Sequence, residues 1–363
     1  FVDVFPYVSS VHNPNNKTSY FKIFFNIGFL YGHHSFSLSL SFYFNIKFLK
    51  IYKYSPPTKV MNLEQIKSKK TIKELLEFGI INVDKSSGPT SFDVSEFVKK
   101  KLCLRKTSHF GTLDPKVTGV LPVALNRACK LTGFFLGEDK EYIGIMRIHE
   151  DISQKDVEKA IKEKFLGVIK QTPPVKSRVK RQEREREIKN FEIIEKDEKN
   201  FLFRAECQGG TYIRKLVSDL GEHLKMGAHM LELRRVRAGI FKEDDKNYPI
   251  VNLYDFEKAV DRYAKGDEQE LRKIIIPAEI VCEVYPLVKV KEENLKKILT
   301  GKPIYKEDLE NEPFGKVPKS ELKKSEKTYA KDSICIFCKD RFIGMYQIKK
   351  EGDLFAKPEF VMN

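Results

Sequence analysis

The sequence predicts a mixed α+β fold, followed by a smaller β-rich unit. Strand-like and helix-like segments are interspersed along residues 61–270 without the regular spacing of β-α-β units, so a mixed sheet fits better than a parallel doubly wound one. Beyond residue 271, prolines and glycines separate short β-rich segments, chiefly residues 333–337 and 342–348. With 363 residues, 41% of them apolar, the chain is long enough for two domains with buried cores.

The elements of the larger unit follow from local patterns. Residues 79–83 form a short apolar strand, and the Gly, Pro and Ser residues that come next predict a turn. Thr90 or Ser91 is positioned to cap a helix over residues 92–102. Residues 140–149 alternate as a strand does. The remaining predicted elements are helices over 156–165 and 212–224 and paired strands over 191–195 and 201–207.

The net charge favours an acidic partner. Lys and Arg number 66 against 51 Asp and Glu, which gives +15. Nucleic acid is the leading candidate for such a partner, and a solvated basic surface is the alternative interpretation. At 32% charged residues, the composition argues against an integral membrane protein.

Residues 1–60 differ in composition from the rest of the chain. They hold 16 of the 42 Phe and Tyr residues, no Arg, and Asp3 as their single acid. No uninterrupted apolar run suits a secretory signal or a membrane span, and a transit peptide would be rich in Arg. We interpret this segment as a non-native extension translated from upstream DNA, and we expect the native chain to start at Met61.

Cysteine usage and known motifs predict neither a metal site nor a cofactor. Six cysteines in a chain of this length do not form a disulfide framework, which indicates a reducing compartment. Cys335 and Cys338 form a C-x-x-C inside a predicted buried strand, with no second pair to complete a zinc site. The sequence also lacks a P-loop, a dinucleotide-binding glycine motif and H-E-x-x-H.

One segment, residues 106–122, concentrates the features of a reactive site. Asp114 stands between Gly111-Thr112 and Pro115, and Gly119 follows. Glycine and proline impose an irregular backbone, which holds a side chain at a site and not on the face of an element. An Asp that merely caps a turn is the alternative interpretation.

The full strings around Asp114 resemble a known family. Ser108-His-Phe-Gly-Thr-Leu-Asp-Pro115 resembles the catalytic motif of the TruB/dyskerin family of pseudouridine synthases. Four further segments resemble the other motifs of the family, and all five occur in the order typical of the family. These segments are residues 82–91, 140–142, 210–214 and 227–235. The C-terminal unit resembles a PUA domain, an RNA-binding β-barrel. The resemblance therefore implies a mixed-sheet catalytic domain over residues 61–270 and a PUA-like domain over 271–363.

The resemblance also assigns roles. It makes Asp114 the carboxylate that acts on the sugar, as a nucleophile or by generating a glycal. It assigns Arg214 to pair with that carboxylate and Tyr142 to stack on the target base. The implied substrate-binding residues are His109, which fills the space left by the flipped base, Leu233, which lines the base pocket, and Lys85, which supports the catalytic loop. An ordinary surface arginine, a core tyrosine and a loop histidine are the structural alternatives.

Short connections place the chain near the dyskerin-type branch. Residues 142–149 lead to the next helix with little room for the insertion of bacterial members, and residues 165–181 resemble that branch. The implied assembly is an archaeal, cytoplasmic H/ACA ribonucleoprotein, in which a guide RNA selects a uridine in rRNA or tRNA and small accessory proteins complete the particle. Ser108 and Phe110 depart from the smaller residues common in the family, and residues 312–331 form an insertion.

Two other functions remain open from the sequence. A stand-alone synthase acting on the TΨC loop of tRNA would use the same Asp114. A non-catalytic RNA-binding scaffold on the same fold is the third hypothesis, and the joint presence of Asp114, Tyr142 and Arg214 argues against it.

Overall fold

The computed structural model describes residues 4–12, 19–31, 34–46, 61–173, 181–310 and 332–362. It divides the chain into two compact units, residues 1–58 and 59–363. The described part of the first unit is a three-stranded antiparallel sheet made of β1 (Val4–His12), β2 (Ser19–Tyr31) and β3 (His34–Ile46). The interpretation of residues 1–60 as a non-native extension stays a prediction. The predicted insertion at residues 312–331 lies outside the described residues.

The second unit is built on a large mixed sheet. Within the described ranges this sheet has eleven strands: β4 (Gly79–Lys85), β5 (Thr107–His109), β6 (Thr118–Leu125), β7 (Lys140–Ile148), β8 (Gly167–Gln171), β9 (Arg184–Asp197), β10 (Asn200–Cys207), β11 (Ala228–Ala238), β12 (Phe241–Lys242), β13 (Val251–Asn252) and β14 (Ile275–Pro277). Its main path runs β13-β4-β6-β11-β7-β10-β9-β8. The pairs β6–β11 and β4–β13 are parallel and the others are antiparallel, which confirms the predicted mixed α+β class.

Short helices connect and cover the strands. Those that the structure describes are α1 (Leu63–Lys69), α2 (Ile72–Glu77), α3 (Ser91–Lys101), α4 (Thr132–Leu136), α5 (Gln154–Lys164), α6 (Ile213–His223), α7 (Leu253–Ala264), α8 (Gln269–Ile274) and α9 (Leu295–Leu299). Thr90 caps α3, because its hydroxyl accepts the backbone N–H of Asp93 at 3.1 Å and the Asp93 carboxylate accepts in return from Thr90. None of the described helices has the length and apolar character needed to cross a bilayer.

Burial along the strands shows where the layers lie. β4 and β6 are buried almost continuously, since apolar groups pack on both of their faces. β7 and β10 alternate between buried and half-buried residues, which is typical of a sheet covered on one face. Helices α3, α5, α6 and α7 supply the cover through residues such as Val98, Ile161, Leu220 and Phe256.

A second sheet follows in sequence and shares a core with the first. Its five described strands are β15 (Leu287–Lys289), β16 (Ile304–Tyr305), β17 (Ser333–Cys338), β18 (Arg341–Glu351) and β19 (Leu354–Val361). Phe78 stacks on Phe342 with ring centroids 5.2 Å apart, and Phe134 meets Phe360 at 6.1 Å. This apolar cluster ties the two sheets together.

The parallel pair β6–β11 requires one glycine. Gly119 lies opposite Arg235 with φ +102°, and a Cβ at this position would stand 2.2 Å from the Arg235 carbonyl oxygen. Gly88 has a similar φ of +116° but has open space around it. Both glycines therefore have a backbone conformation that other residues rarely adopt, but only Gly119 also lacks room for a side chain.

We expect Gly119→Ala to lower the free energy of unfolding by about 2 kcal/mol more than Gly88→Ala does, because both carry the left-handed strain and only the first adds a backbone clash. Urea unfolding of both variants measures the difference. Equal losses would mean that strands β6 and β11 separate easily at this point.

Candidate active site

Asp114 and Arg214 meet at the surface although they are a hundred residues apart. Asp114 lies in the irregular loop between β5 and β6, and Arg214 lies in the first turn of α6. The Arg214 Nη2 atom is 2.7 Å from the Asp114 Oδ2 atom, and the two side chains are 58% and 48% exposed. The carboxylate is thus held by a guanidinium and open to a ligand.

The backbone on the C-terminal side of Asp114 is held by a buried lysine. Lys85, at the end of β4, donates from Nζ to the carbonyl oxygens of Ser86, Pro115 and Val117 at 2.9, 2.9 and 2.8 Å. Burial lowers the pKa of Lys85 to about 8, which the Asp114 carboxylate opposes and the Arg235 guanidinium reinforces. The structure therefore places Lys85 beneath the loop that carries Asp114, away from solvent.

Ser91 fixes the residue just before Asp114. Its hydroxyl donates to the Leu113 carbonyl at 2.9 Å and accepts the Leu113 N–H at 2.8 Å. On the far side, the N–H of Gly88 donates to the Pro115 carbonyl at 2.9 Å. The turn that follows β4 thus satisfies the backbone on both sides of Asp114.

Tyr142 lies at the centre of the sheet, beside the loop. It is buried on β7, opposite Arg235 of β11. Burial raises the pKa of the Tyr142 hydroxyl, the Arg235 guanidinium lowers it, and the Asp114 carboxylate adds a smaller rise. Tyr142 is therefore a neutral phenol at physiological pH, close enough to Asp114 for the two groups to interact.

The remaining predicted residues lie around this centre. His109 ends β5, opposite Val123 of β6, and burial lowers the pKa of its imidazole. Phe110 turns into the core, where its ring stacks on Phe135 with centroids 4.6 Å apart. This departure from the smaller family residue therefore fills the core. Leu233 is buried on β11 opposite Gly144.

The structure describes no metal-binding cluster. Within the described ranges, no three His, Cys, Asp or Glu side chains gather as a metal ion would require. Cys335 and Cys338 lie on the buried strand β17, as predicted, but they pack into different apolar clusters. The C-x-x-C pair is thus part of the packing of the second sheet.

Sequence reasoning missed two residues of the site, Ser91 and Arg235. Ser91 was considered only as a helix cap, a role that Thr90 takes. Arg235 ends the motif at residues 227–235, in which only Leu233 was given a role. A signal for Arg235 was available in the glycine-containing segment at residues 106–122. A fully buried cation needs several hydrogen-bond acceptors, and the backbone carbonyls of that segment can supply them.

Comparison with known proteins shows the family of the chain. Residues 99–213 match the model of the TruB family pseudouridylate synthase N-terminal domain, and residues 214–283 match that of the tRNA pseudouridylate synthase B C-terminal domain. The "Probable tRNA pseudouridine synthase B" of Methanocaldococcus jannaschii is 47% identical over 236 residues, which cover 64% of this chain and 68% of that protein.

Two solved structures share the fold. A Cbf5-Nop10-Gar1 complex contains a chain that is 34% identical, with a TM-score of 0.71 and coverage of 81% of this chain and 88% of that one. An H/ACA RNP bound to a substrate RNA containing 2'-deoxyuridine gives 32% identity, a TM-score of 0.68 and coverage of 82% and 89%.

The mixed sheet, the irregular loop with its carboxylate–guanidinium pair and these similarities define an enzyme that isomerises uridine in RNA, a pseudouridine synthase. Within that class, the chain belongs to the TruB family.

The three-carbonyl contact of Lys85 predicts a pH dependence. Because its pKa is about 8 and not near 10.5, the ammonium loses a proton above about pH 8, and the neutral amine has only two N–H groups for three carbonyls. We expect the single-turnover rate to fall with a midpoint near pH 8. In Lys85→Arg this midpoint should vanish, because a guanidinium stays charged.

Lys140 provides an internal comparison. Its pKa is lowered to about 7, chiefly by burial, but it donates to only two carbonyls, those of Phe135 and Glu138. Its neutral amine can still satisfy both, so we expect no loss of rate near pH 7. If the single-turnover rate of Lys85→Arg still falls above about pH 8 as in the wild type, a group other than Lys85 causes the fall.

Proposed function

We propose that the protein converts uridine to pseudouridine with Asp114 as the reacting carboxylate, under the direction of an H/ACA guide RNA. The reaction breaks the C–N glycosidic bond, turns the base and forms a C–C bond. The uracil leaves and rejoins the same sugar through C5. The proton on C5 is lost and N1 takes up a proton, so atoms balance without an oxidant or a hydrolytic water. A single aimed carboxylate is the group such chemistry needs, either as nucleophile or to generate a glycal.

The contact between Arg214 and Asp114 carries this proposal. A loop carboxylate half exposed to solvent gains little stability from a surface ion pair, so a stabilising role is a poor explanation for the 2.7 Å contact. Orientation of the carboxylate is the better one, since the backbone on either side of Asp114 is also held by Lys85 and Ser91. The target nucleotide must leave its stack to reach this group.

The other residues have supporting roles in the proposal. Tyr142 stacks on the target base and, as a neutral phenol, offers a proton donor beside Asp114. Leu233 lines the base pocket, and Lys85 supports the catalytic loop. His109 occupies the space that the flipped base leaves in the RNA, and its lowered pKa favours a neutral ring there.

Guide dependence is supported by the similar structures. One is a Cbf5-Nop10-Gar1 complex and the other is an H/ACA RNP bound to a substrate RNA, and the chain covers 88% and 89% of their matching chains. We therefore propose a guide RNA, small accessory proteins and a cytoplasmic site of action. We also propose that residues 61–270 form the catalytic domain and that 271–363, which contain the second sheet, form a PUA-like domain that binds the guide.

A stand-alone tRNA activity is the second candidate. It is favoured by the M. jannaschii relative, whose name describes a tRNA pseudouridine synthase. Both candidates use the same site, so they differ only in what selects the uridine.

Removal of the reacting carboxylate tests the proposed chemistry. We expect Asp114→Asn to reduce pseudouridine formation to the assay background and to leave the Kd for RNA within about threefold, because phosphate contacts dominate affinity. Asp151→Asn is the matched control, since Asp151 is also an exposed, ion-paired aspartate, with Lys196 as its partner at 3.5 Å. Product at the wild-type rate from Asp114→Asn would remove this residue from the mechanism.

A substrate comparison separates the two candidates. Pseudouridine is measured on a tRNA transcript and on an rRNA fragment, each with and without a matching H/ACA guide and accessory proteins. We expect product on rRNA only with the guide. Product on tRNA with protein alone would establish stand-alone activity, and RNA binding without product under every condition would favour the scaffold hypothesis.

A further inference from the structure

We propose that Arg235 is a positioning residue that holds both ends of the loop that carries Asp114. The inference deepens the proposed function, because it rests on Asp114 as the reacting group. Arg235 itself does not reach the carboxylate; it acts through the backbone on either side of Asp114.

The contacts of Arg235 bracket Asp114. Its side chain lies on β11 and is only 1% exposed. Nη2 donates to the Gly111 carbonyl at 3.0 Å and Nε donates to the Val120 carbonyl at 2.8 Å. Gly111 precedes Asp114 by three residues and Val120 follows it by six. One rigid guanidinium therefore fixes the entry and the exit of the loop relative to the central sheet.

A β-bulge separates the environment of Arg235 from that of Arg237. The register of β11 against β7 shifts between Arg235 and Arg237, so Arg235 lies opposite Tyr142 while Arg237 lies opposite Glu141. Arg237 then pairs with Glu141 and Glu206 on the more exposed face. Bulges of this kind are common beside active sites, where they redirect a side chain.

The burial of this charge costs stability, which argues against a purely structural role. The hydrogen-bond acceptors of Arg235 in the described chain are two neutral carbonyls. Its charge also lowers the pKa of the neighbouring Lys140, after burial itself, which is the larger cause. An apolar side chain would avoid both penalties, but it would leave the carbonyls of Gly111 and Val120 without this donor.

The test compares Arg235→Lys and Arg235→Gln with Arg237→Lys in single-turnover reactions of the full chain, with guide and accessory proteins where the wild type needs them. The lysine variant keeps the charge but has a single nitrogen in place of the rigid fork whose Nε and Nη2 donate to the two carbonyls. The glutamine variant keeps one planar donor group and removes the buried charge, so it does not depend on tolerating an unpaired cation. We expect both Arg235 variants to lower the rate constant about 10- to 100-fold, with the Kd for RNA within about threefold.

The control variant and the amplitude of the single-turnover reaction separate a positioning role from a purely structural one. Arg237→Lys should keep the rate constant within about threefold. A purely structural role for Arg235 would reduce the reaction amplitude, which reports the folded fraction, and leave the rate constant unchanged; that outcome overturns the proposal. If Asp114→Asn stays active, the proposed function itself fails. If Asp114→Asn is inactive but both Arg235 variants react at the wild-type rate constant, this inference alone is wrong.

Discussion

The site depends on one constraint: an irregular loop must keep its backbone polar groups satisfied while it presents a carboxylate to solvent. A loop between strands has no ladder to pair its carbonyls, and buried carbonyls without donors are costly. In this protein, side chains from elsewhere in the chain supply the donors. Lys85 serves Pro115 and Val117, Ser91 serves Leu113, and Arg235 serves Gly111 and Val120.

The order of strands in the sheet makes this arrangement possible. β4, β6, β11 and β7 are consecutive neighbours, and they carry Lys85, the exit of the loop, Arg235 and Tyr142 respectively. The parallel pair β6–β11 is the unusual member among antiparallel ones, and Gly119 allows its close approach. Groups far apart in sequence therefore converge because of sheet topology, and local spacing has no part in it.

Charge is distributed unequally between the surface and the interior of the site. The Asp114–Arg214 pair is exposed to solvent, where an ion pair contributes only about 0–1 kcal/mol of stability, so its main effect is orientation. Lys85 and Arg235 are buried, and burial shifts the pKa of each downward. The buried charges of Lys85 and Arg235 thus lower the stability of the protein, and their hydrogen bonds fix the loop that presents the Asp114 carboxylate.

Local patterns along the chain were enough to predict most elements, the fold class and the motif around Asp114. The alternation in residues 140–149 predicted β7, and the Thr90–Asp93 signals predicted the start of α3, because periodicity and capping are local properties. Strand β9 begins seven residues before the predicted 191, since its charged N-terminal part is held by pairing with β8. Only the tertiary structure decided that Arg235 is buried and Arg237 is not. A register shift against another strand sets that difference, and no local pattern encodes it.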